Sequence, residues 1–298
     1  MEKSLHIACG QLVFRPGNIV HQLAQIESLS AEAARLGARL ILFGEAALNG
    51  YVHTPEVLAT AVASDGLEAG RLRGISRVHD IVIAVGVFEC NGDQRHVSHF
   101  VVFPDGRLLV QRKNRLTPKE LEAKFTPGPE ERQVFEVDGV RCAVSICADS
   151  GIPDLHNKLA ASGCQVSLHP CAGGGGRAAM CHVQDLADPE RRKRYLADME
   201  KVCFVGGSFF PAADHRMAMV ATNLAGDDGV SNYHPGHSCI IDSRGCLVAL
   251  QPGEYVVEYL RPLMIHGEAI VQEPRVCAPA DDGCPTSGAA CECGEAAR

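Results

Sequence analysis

The sequence predicts an α/β fold, one domain built on a large mixed sheet core with helices outside. Three observations predict it. β-Hairpins alternate with strand–helix units along the chain, no linker divides them, and hydrophobic residues reach 46% against 21% charged, which is ordinary globular composition. Aromatics make up only 5% and Trp is absent, so the core must lean on Val, Leu, Ile and Ala.

The elements follow in order. LHIACGQLVF (5–14) is an apolar, β-rich run closed by the loop RPGN. Ile19, Leu23, Ile26, Leu29, Ala33 and Leu36 recur in steps of three and four, the stripe of an amphipathic helix, and Gly37 stops it. ARLILFGEA (38–46) reads as a buried strand. A second helical stretch, 66–79, leads into the strand IVIAVGVFE (81–89). Residues 96–114 are two strands joined through Pro104-Asp105-Gly106, and 133–147 repeat that design around Asp138-Gly139. DLHNKLAASG (154–163) is a short helix before the strand CQVSLHP (164–170). The charged stretch 185–201 reads as a helix, and MAMVATN (217–223), GHSCIIDS (236–243), CLVALQ (246–251) and EYVVEYL (254–260) as strands. From 272 Pro, Gly, Ala, Asp and Cys dominate and periodicity ends. The expected division is therefore a domain over 1–271 and a Cys-rich, flexible tail over 272–298.

Composition also excludes partners. A formal charge of −8 argues against nucleic acid or an anionic membrane. No apolar run approaches the roughly 18 residues of a membrane span. The start, MEKSLHIACGQ, lacks the shape of a signal peptide, so a cytoplasmic location is expected. Fourteen cysteines are then read as reduced thiols. Ten are scattered, often inside apolar runs, while Cys277, Cys284, Cys291 and Cys293 crowd the tail. Their spacing is not the paired C-x2-C of a zinc site, and no metal is assigned.

Three side chains share one context. Glu45 follows LILFG, Lys113 follows LLVQR and Cys147 follows CAVSI. Each stands where an apolar strand ends, the usual edge for a site in an α/β sheet. Taken singly, a strand-end Glu or Lys is ordinary surface and a strand-end Cys an ordinary packed thiol. Their surroundings change that reading. LILFGEAALNGY (40–51) resembles the glutamate motif of the nitrilase superfamily, the carbon–nitrogen hydrolases. RKNRLTP (112–118) resembles its lysine motif and SICADSGIPDL (145–155) its cysteine motif. YHPGHSCIIDSRGCLVAL (233–250) is similar to its late Gly-x-Ser strand and hairpin, and Gln11 stands where the family often has Gln. The likeness runs from 5 to 260, in the family's order and spacing.

The resemblance implies a four-layer α-β-β-α sandwich, two mixed sheets packed face to face, in a homodimer or larger homo-oligomer. It implies Cys147 as nucleophile, Glu45 as general base and Lys113 as the cation on the oxyanion, helped by the N–H of Ala148. It also implies a second glutamate between the lysine and cysteine motifs. Glu122, three before Phe125, is preferred on spacing, with Glu120 the fallback. His169 and Cys171 are pocket candidates, because they end the strand that normally lines the pocket.

True nitrilases usually follow the nucleophile with Trp-Glu; here Ala148-Asp149 stands there, which looks more like the amidase and carbamoyl-hydrolase branches. The expected function is cleavage of a small amide or N-carbamoyl compound through an acyl-thioester, with release of ammonia and no cofactor. Two alternatives stand beside it: a nitrile hydrolase on the same triad, and a non-catalytic binding protein that uses the Cys-rich tail. The Gly173–Gly176 run lacks the Lys-Ser/Thr of a phosphate loop.

Overall fold

The computed structural model describes residues 3–13, 15–176, 188–190, 193, 214–230, 232–236, 238–251 and 262–277. In chain order the first half is β1 (Lys3–Gln11), α1 (Ile19–Arg35), β2 (Leu40–Phe43), α2 (Pro55–Leu58), α3 (Leu67–His79), β3 (Val82–Asn91), β4 (Gln94–Val102), β5 (Leu108–Arg112) and α4 (Pro118–Glu122). The second half is β6 (Val134–Val137), β7 (Val140–Val144), a short 3-10 turn (Cys147–Gly151), α5 (Leu155–Ala161), β8 (Val166–Pro170), β9 (Gly175–Gly176), β10 (Ala218–Thr222), β11 (Ala225–Asp227), β12 (Asn232–Pro235), β13 (Cys239–Ile241), β14 (Leu247–Leu250) and β15 (Leu263–Val271).

Two six-stranded mixed sheets carry the fold, ordered β15-β1-β2-β3-β4-β5 and β14-β13-β10-β8-β7-β6. Strand alternation explains why they stack. Ile7 and Cys9 of β1 and Leu40 and Leu42 of β2 turn one way, into a core shared with Val144, Val166, Leu168, Val220 and Ile240 of the other sheet. Ala8, Ile41 and Phe43 turn the opposite way and meet Leu23, Ile26 and Leu29 of α1 and Leu72 of α3. On the far face Ala143 packs against Leu155 and Leu159 of α5. The expected α-β-β-α sandwich is what these faces build. A strand apolar on both sides must be covered on both sides.

The hairpin turns fall where the sequence places them, with Gly106 at φ +91°, Asp138 at +49° and Gly139 at +74°. Asn18 caps α1 by accepting from the His21 N–H at 3.0 Å. Among the described residues four strands escape the sequence reading: β9, β11 and β12, which form a small sheet of their own, and β15. β15 pairs antiparallel along all of β1, from Lys3↔Val271 to Gln11↔Leu263. It is an edge strand interrupted by His266, Gly267 and Glu268, so its apolar alternation is weak. Residues 254–260, most of 185–201, and tail cysteines Cys284, Cys291 and Cys293 lie outside the described residues.

Residues 272–277 have no regular structure, yet several are fastened to the domain. The Arg275 N–H donates to the His215 carbonyl at 2.8 Å. The Cys277 N–H donates to Asn157 Oδ1 of α5, also at 2.8 Å.

Candidate active site

Glu45, Lys113 and Cys147 lie at the ends of β2, β5 and β7, and the stacked sheets bring these ends together. Lys113 is fully buried, with 0% of its side chain exposed. Its Nζ donates to Glu45 Oε1 at 2.7 Å and to Glu120 Oε1 at 2.7 Å. Both carboxylates are buried as well. A buried ammonium is tolerated only with such partners. Here two carboxylates hold it in one position.

The second glutamate is therefore Glu120, a correction to the preference for Glu122. Glu122 is exposed and stands at a cavity of about 420 Å³ that Tyr51, His53, Lys119 and Asn232 also line. The reason is local. Thr117-Pro118-Lys119-Glu120 forms a capping box at the start of α4, with Glu120 Oε2 accepting from the Thr117 N–H at 2.6 Å. A box of this kind folds its third-position carboxylate back over the helix start, which here is the side of Lys113. The T-x-x-E spacing was the signal. Tyr51 completes the group, its hydroxyl donating to Glu120 Oε1 at 2.7 Å.

Glu45 sits on a tight turn after β2. Ala46, next to it, has φ +48°. The second carboxylate oxygen of Glu45 accepts from the Ala172 N–H at 3.0 Å, and the Glu45 N–H donates to the Cys171 carbonyl at 3.2 Å. The turn fits because β3 carries Gly86 beneath it. A Cβ on Gly86 would stand 2.3 Å from the Ala46 nitrogen and 2.4 Å from the Gly44 carbonyl oxygen. A lone Gly inside an apolar strand is the sequence sign of such an approach.

Cys147 opens the 3-10 turn at φ +46°, a left-handed conformation unusual for a non-Gly residue. Asp149 holds this turn to the lysine strand. Its Oδ1 accepts from the N–H groups of Asn114 and Arg115 at 3.0 and 2.9 Å. Its Oδ2 accepts from the Ile146 N–H at 3.1 Å and from Arg132 Nη1 at 2.7 Å. The sequence reading quoted Asp149 as part of the motif and gave it no such role. Ala148 follows Cys147 in the first turn, half-buried.

The electrostatics follow from dryness and crowding. Burial lifts Glu45 well above the ordinary carboxylate range; Cys147 adds to the rise and Lys113 opposes it. Burial works against the charge of Lys113, but Glu45, then Cys147, Tyr51 and Glu120 outweigh it, so it stays an ammonium. The Cys147 thiol is held well above its ordinary value, first by a hydrogen bond with Cys171 and then by burial, while Lys113 and His169 pull the other way. Cys147 thus rests as a thiol beside a carboxyl group whose affinity for protons burial has raised. Both pocket candidates reach this place. Cys171 touches Cys147, and the His169 ring donates from Nδ1 to the Ser145 carbonyl at 2.9 Å, since a carbonyl can only accept.

The likeness to known proteins is one of family and fold. The family model described as "Carbon-nitrogen hydrolase" matches residues 6–198. The chain is 30% identical over 159 residues to an (R)-stereoselective amidase of Pseudomonas sp, covering 53% of this chain and 57% of that one. It is 25% identical over 260 residues to a citrullinase of Francisella tularensis, covering 83% and 84% of the two chains. A nitrilase of Pyrococcus abyssi is 29% identical over 150 residues, covering 49% and 57%. The chain thus spans just over half the length of the amidase and the nitrilase. Among solved structures, an amidase from Nesterenkonia sp. superposes with a TM-score of 0.72 at 24% identity, covering 91% of this chain and 92% of that one. A glutamate-to-leucine variant of the Nesterenkonia amidase, carrying the acetamide moiety of fluoroacetamide on its active-site cysteine, gives 0.71 at 23% identity over 89% and 90%. These structural likenesses bear on the fold.

Proposed function

The chain belongs to the carbon–nitrogen hydrolase family, and on that premise we propose that it is a thiol hydrolase of small amides or N-carbamoyl compounds. One observation carries the reading. A fully buried lysine is clamped at 2.7 Å by each of two carboxylates, and the Cys147 thiol acts electrostatically on both that lysine and Glu45. A structural ion pair needs no thiol, and a structural thiol needs no buried base.

The chemistry then runs on this chain's own groups. Glu45 takes the Cys147 proton as the sulfur attacks the substrate carbonyl carbon. The negative oxygen that develops is met by Lys113 and the Ala148 N–H. Glu45 returns the proton to the departing nitrogen, ammonia leaves, and an acyl-thioester stays on Cys147. Glu45 next activates water, which releases the acid and restores the thiol. Glu120 never meets substrate in this scheme; it fixes the ammonium.

The test is a panel of small amides, carbamoyl compounds and nitriles, read by intact mass and peptide mapping for an acyl adduct. The adduct is expected on Cys147 with amides or carbamoyl compounds. Cys147→Ala should lose both adduct and turnover while melting at the same temperature. Normal turnover in that variant would overturn the mechanism, and turnover of nitriles alone would move the protein to the nitrilase reading.

A further inference from the structure

β7 and β8 are parallel neighbours in a fixed register. Cys142 pairs with Val166, Ala143 with Ser167 and Val144 with Leu168, each 24 positions on. The ladder runs one residue past β7, where the Ser145 N–H donates to the Leu168 carbonyl at 2.8 Å, and the His169 ring donates from Nδ1 to the Ser145 carbonyl. Cys147 stands three residues past the end of β7 and Cys171 one residue past the end of β8, at the same end of these two parallel neighbours. Neighbouring strands stand only about 4.8 Å apart, and the Cys147 thiol interacts with Cys171 across that gap.

The surroundings fix Cys171 there. Its N–H donates to the Thr222 carbonyl at 2.7 Å, and its carbonyl accepts from Glu45. Its thiol donates to the His169 carbonyl at 3.7 Å, and the Cys147 thiol interacts with it from the neighbouring turn. Two other thiol pairs are near neighbours, Cys9 with Cys239 and Cys142 with Cys164. All four of those thiols are buried, whereas Cys147 and Cys171 are both part-exposed. Among the described residues, this is the neighbouring thiol pair that a small oxidant can reach.

We propose that Cys147 and Cys171 form a reversible disulfide when a peroxide enters the site, so that Cys171 is the resolving thiol for the nucleophile. The step balances. Cys147–SH and H2O2 give Cys147–SOH and water: Glu45 accepts the thiol proton, the sulfur displaces one peroxide oxygen, and that oxygen leaves as water. The Cys171 sulfur then attacks the sulfenic sulfur, and its hydroxyl leaves as a second water with the Cys171 proton. The two sulfurs together lose two electrons and the peroxide gains them. In the disulfide the two sulfurs stand about 2.05 Å apart. The consequence is protective. A sulfenic acid with no resolving thiol goes on to the sulfinic and sulfonic acids, which thiol reductants do not reverse.

The inference uses Glu45 as the base assigned above, but its readout needs no substrate and no turnover. Reduced full-length protein is treated with hydrogen peroxide, capped with N-ethylmaleimide and digested without reductant. The expected product is a linked pair of peptides holding Cys147 and Cys171, lighter by two hydrogens and separated again by dithiothreitol. In Cys171→Ala the same treatment should leave Cys147 carrying two or three extra oxygens that dithiothreitol does not remove. The proposal is overturned if Cys147 of the unaltered protein gains those oxygens while Cys171 is still capped by maleimide. It is equally overturned if Cys171 is found linked to a different cysteine.

Discussion

Lys113 is a point charge with none of its side chain exposed, and the groups near it are arranged around that fact. Its two carboxylates differ in what they can do. Glu45 stands between the lysine and the thiol, while Glu120 is bound on every side by Lys113, Tyr51 and Thr117. The exposed Glu122 has no part in this group. Truncating Glu120 leaves a buried ammonium half-paired, and losses of that kind run to about 3–5 kcal/mol. Glu120→Ala should therefore lower the urea midpoint sharply and weaken activity with it. Glu122→Ala should stay within about 0.5 kcal/mol. Equal stability loss in the two variants would show that the lysine does not depend on Glu120.

At the scale of elements, the site is a meeting of turns. The Glu45 turn lies on Gly86 of β3, the Cys147 turn is tied to the residues after β5 through Asp149, and the loop after β8 touches both. The contact at Gly86 is between backbones, so side-chain volume decides whether it can form. Adding one methyl at Gly86 puts a carbon 2.3 Å from the Ala46 nitrogen. Overpacking of this sort costs about 1–3 kcal/mol. Gly86→Ala should destabilise the protein by that order and displace Glu45, cutting turnover further than the stability loss explains. Equilibrium unfolding together with steady-state rates checks this. Unchanged rates in a destabilised variant would show that the turn tolerates the shift.

At the scale of the whole molecule, the core carries buried histidines as well as apolar residues. Burial lowers His99 from the ordinary 6.5 to about 3 and His156 to about 4. A lowered histidine pKa means the folded state refuses a proton that the unfolded chain accepts. The stability these rings leave intact is full above pH 6.5 and is lost as pH falls toward 4 and then 3. The drop from His99 is on the order of a few kcal/mol. Urea midpoints measured from pH 7 downward should fall across this window, and the fall should be shallower in His99→Gln. An identical pH dependence in that variant would show that other groups govern acid unfolding.

The sequence alone determined much of this protein. The hydrophobic periods set the early helices and most strands, Asp-Gly pairs set the hairpins, and the motifs around Glu45, Lys113 and Cys147, through their resemblance to a family's, marked the candidate site. These signals are local, since each is written within a dozen residues. The edge strand β15 stayed hidden because an edge needs only weak alternation. What tertiary structure decided was partnership. Which glutamate reaches Lys113 depends on how a capping box turns a carboxylate, and a spacing count back from Phe125 does not contain that. That Cys147 meets Cys171 depends on β7 and β8 being parallel neighbours that end at the same side. Asp149 acts as a clamp only because β5 and β7 end at the same level in different sheets. Contacts of this kind join residues far apart in the chain, and the physics that fixes them is packing between faces.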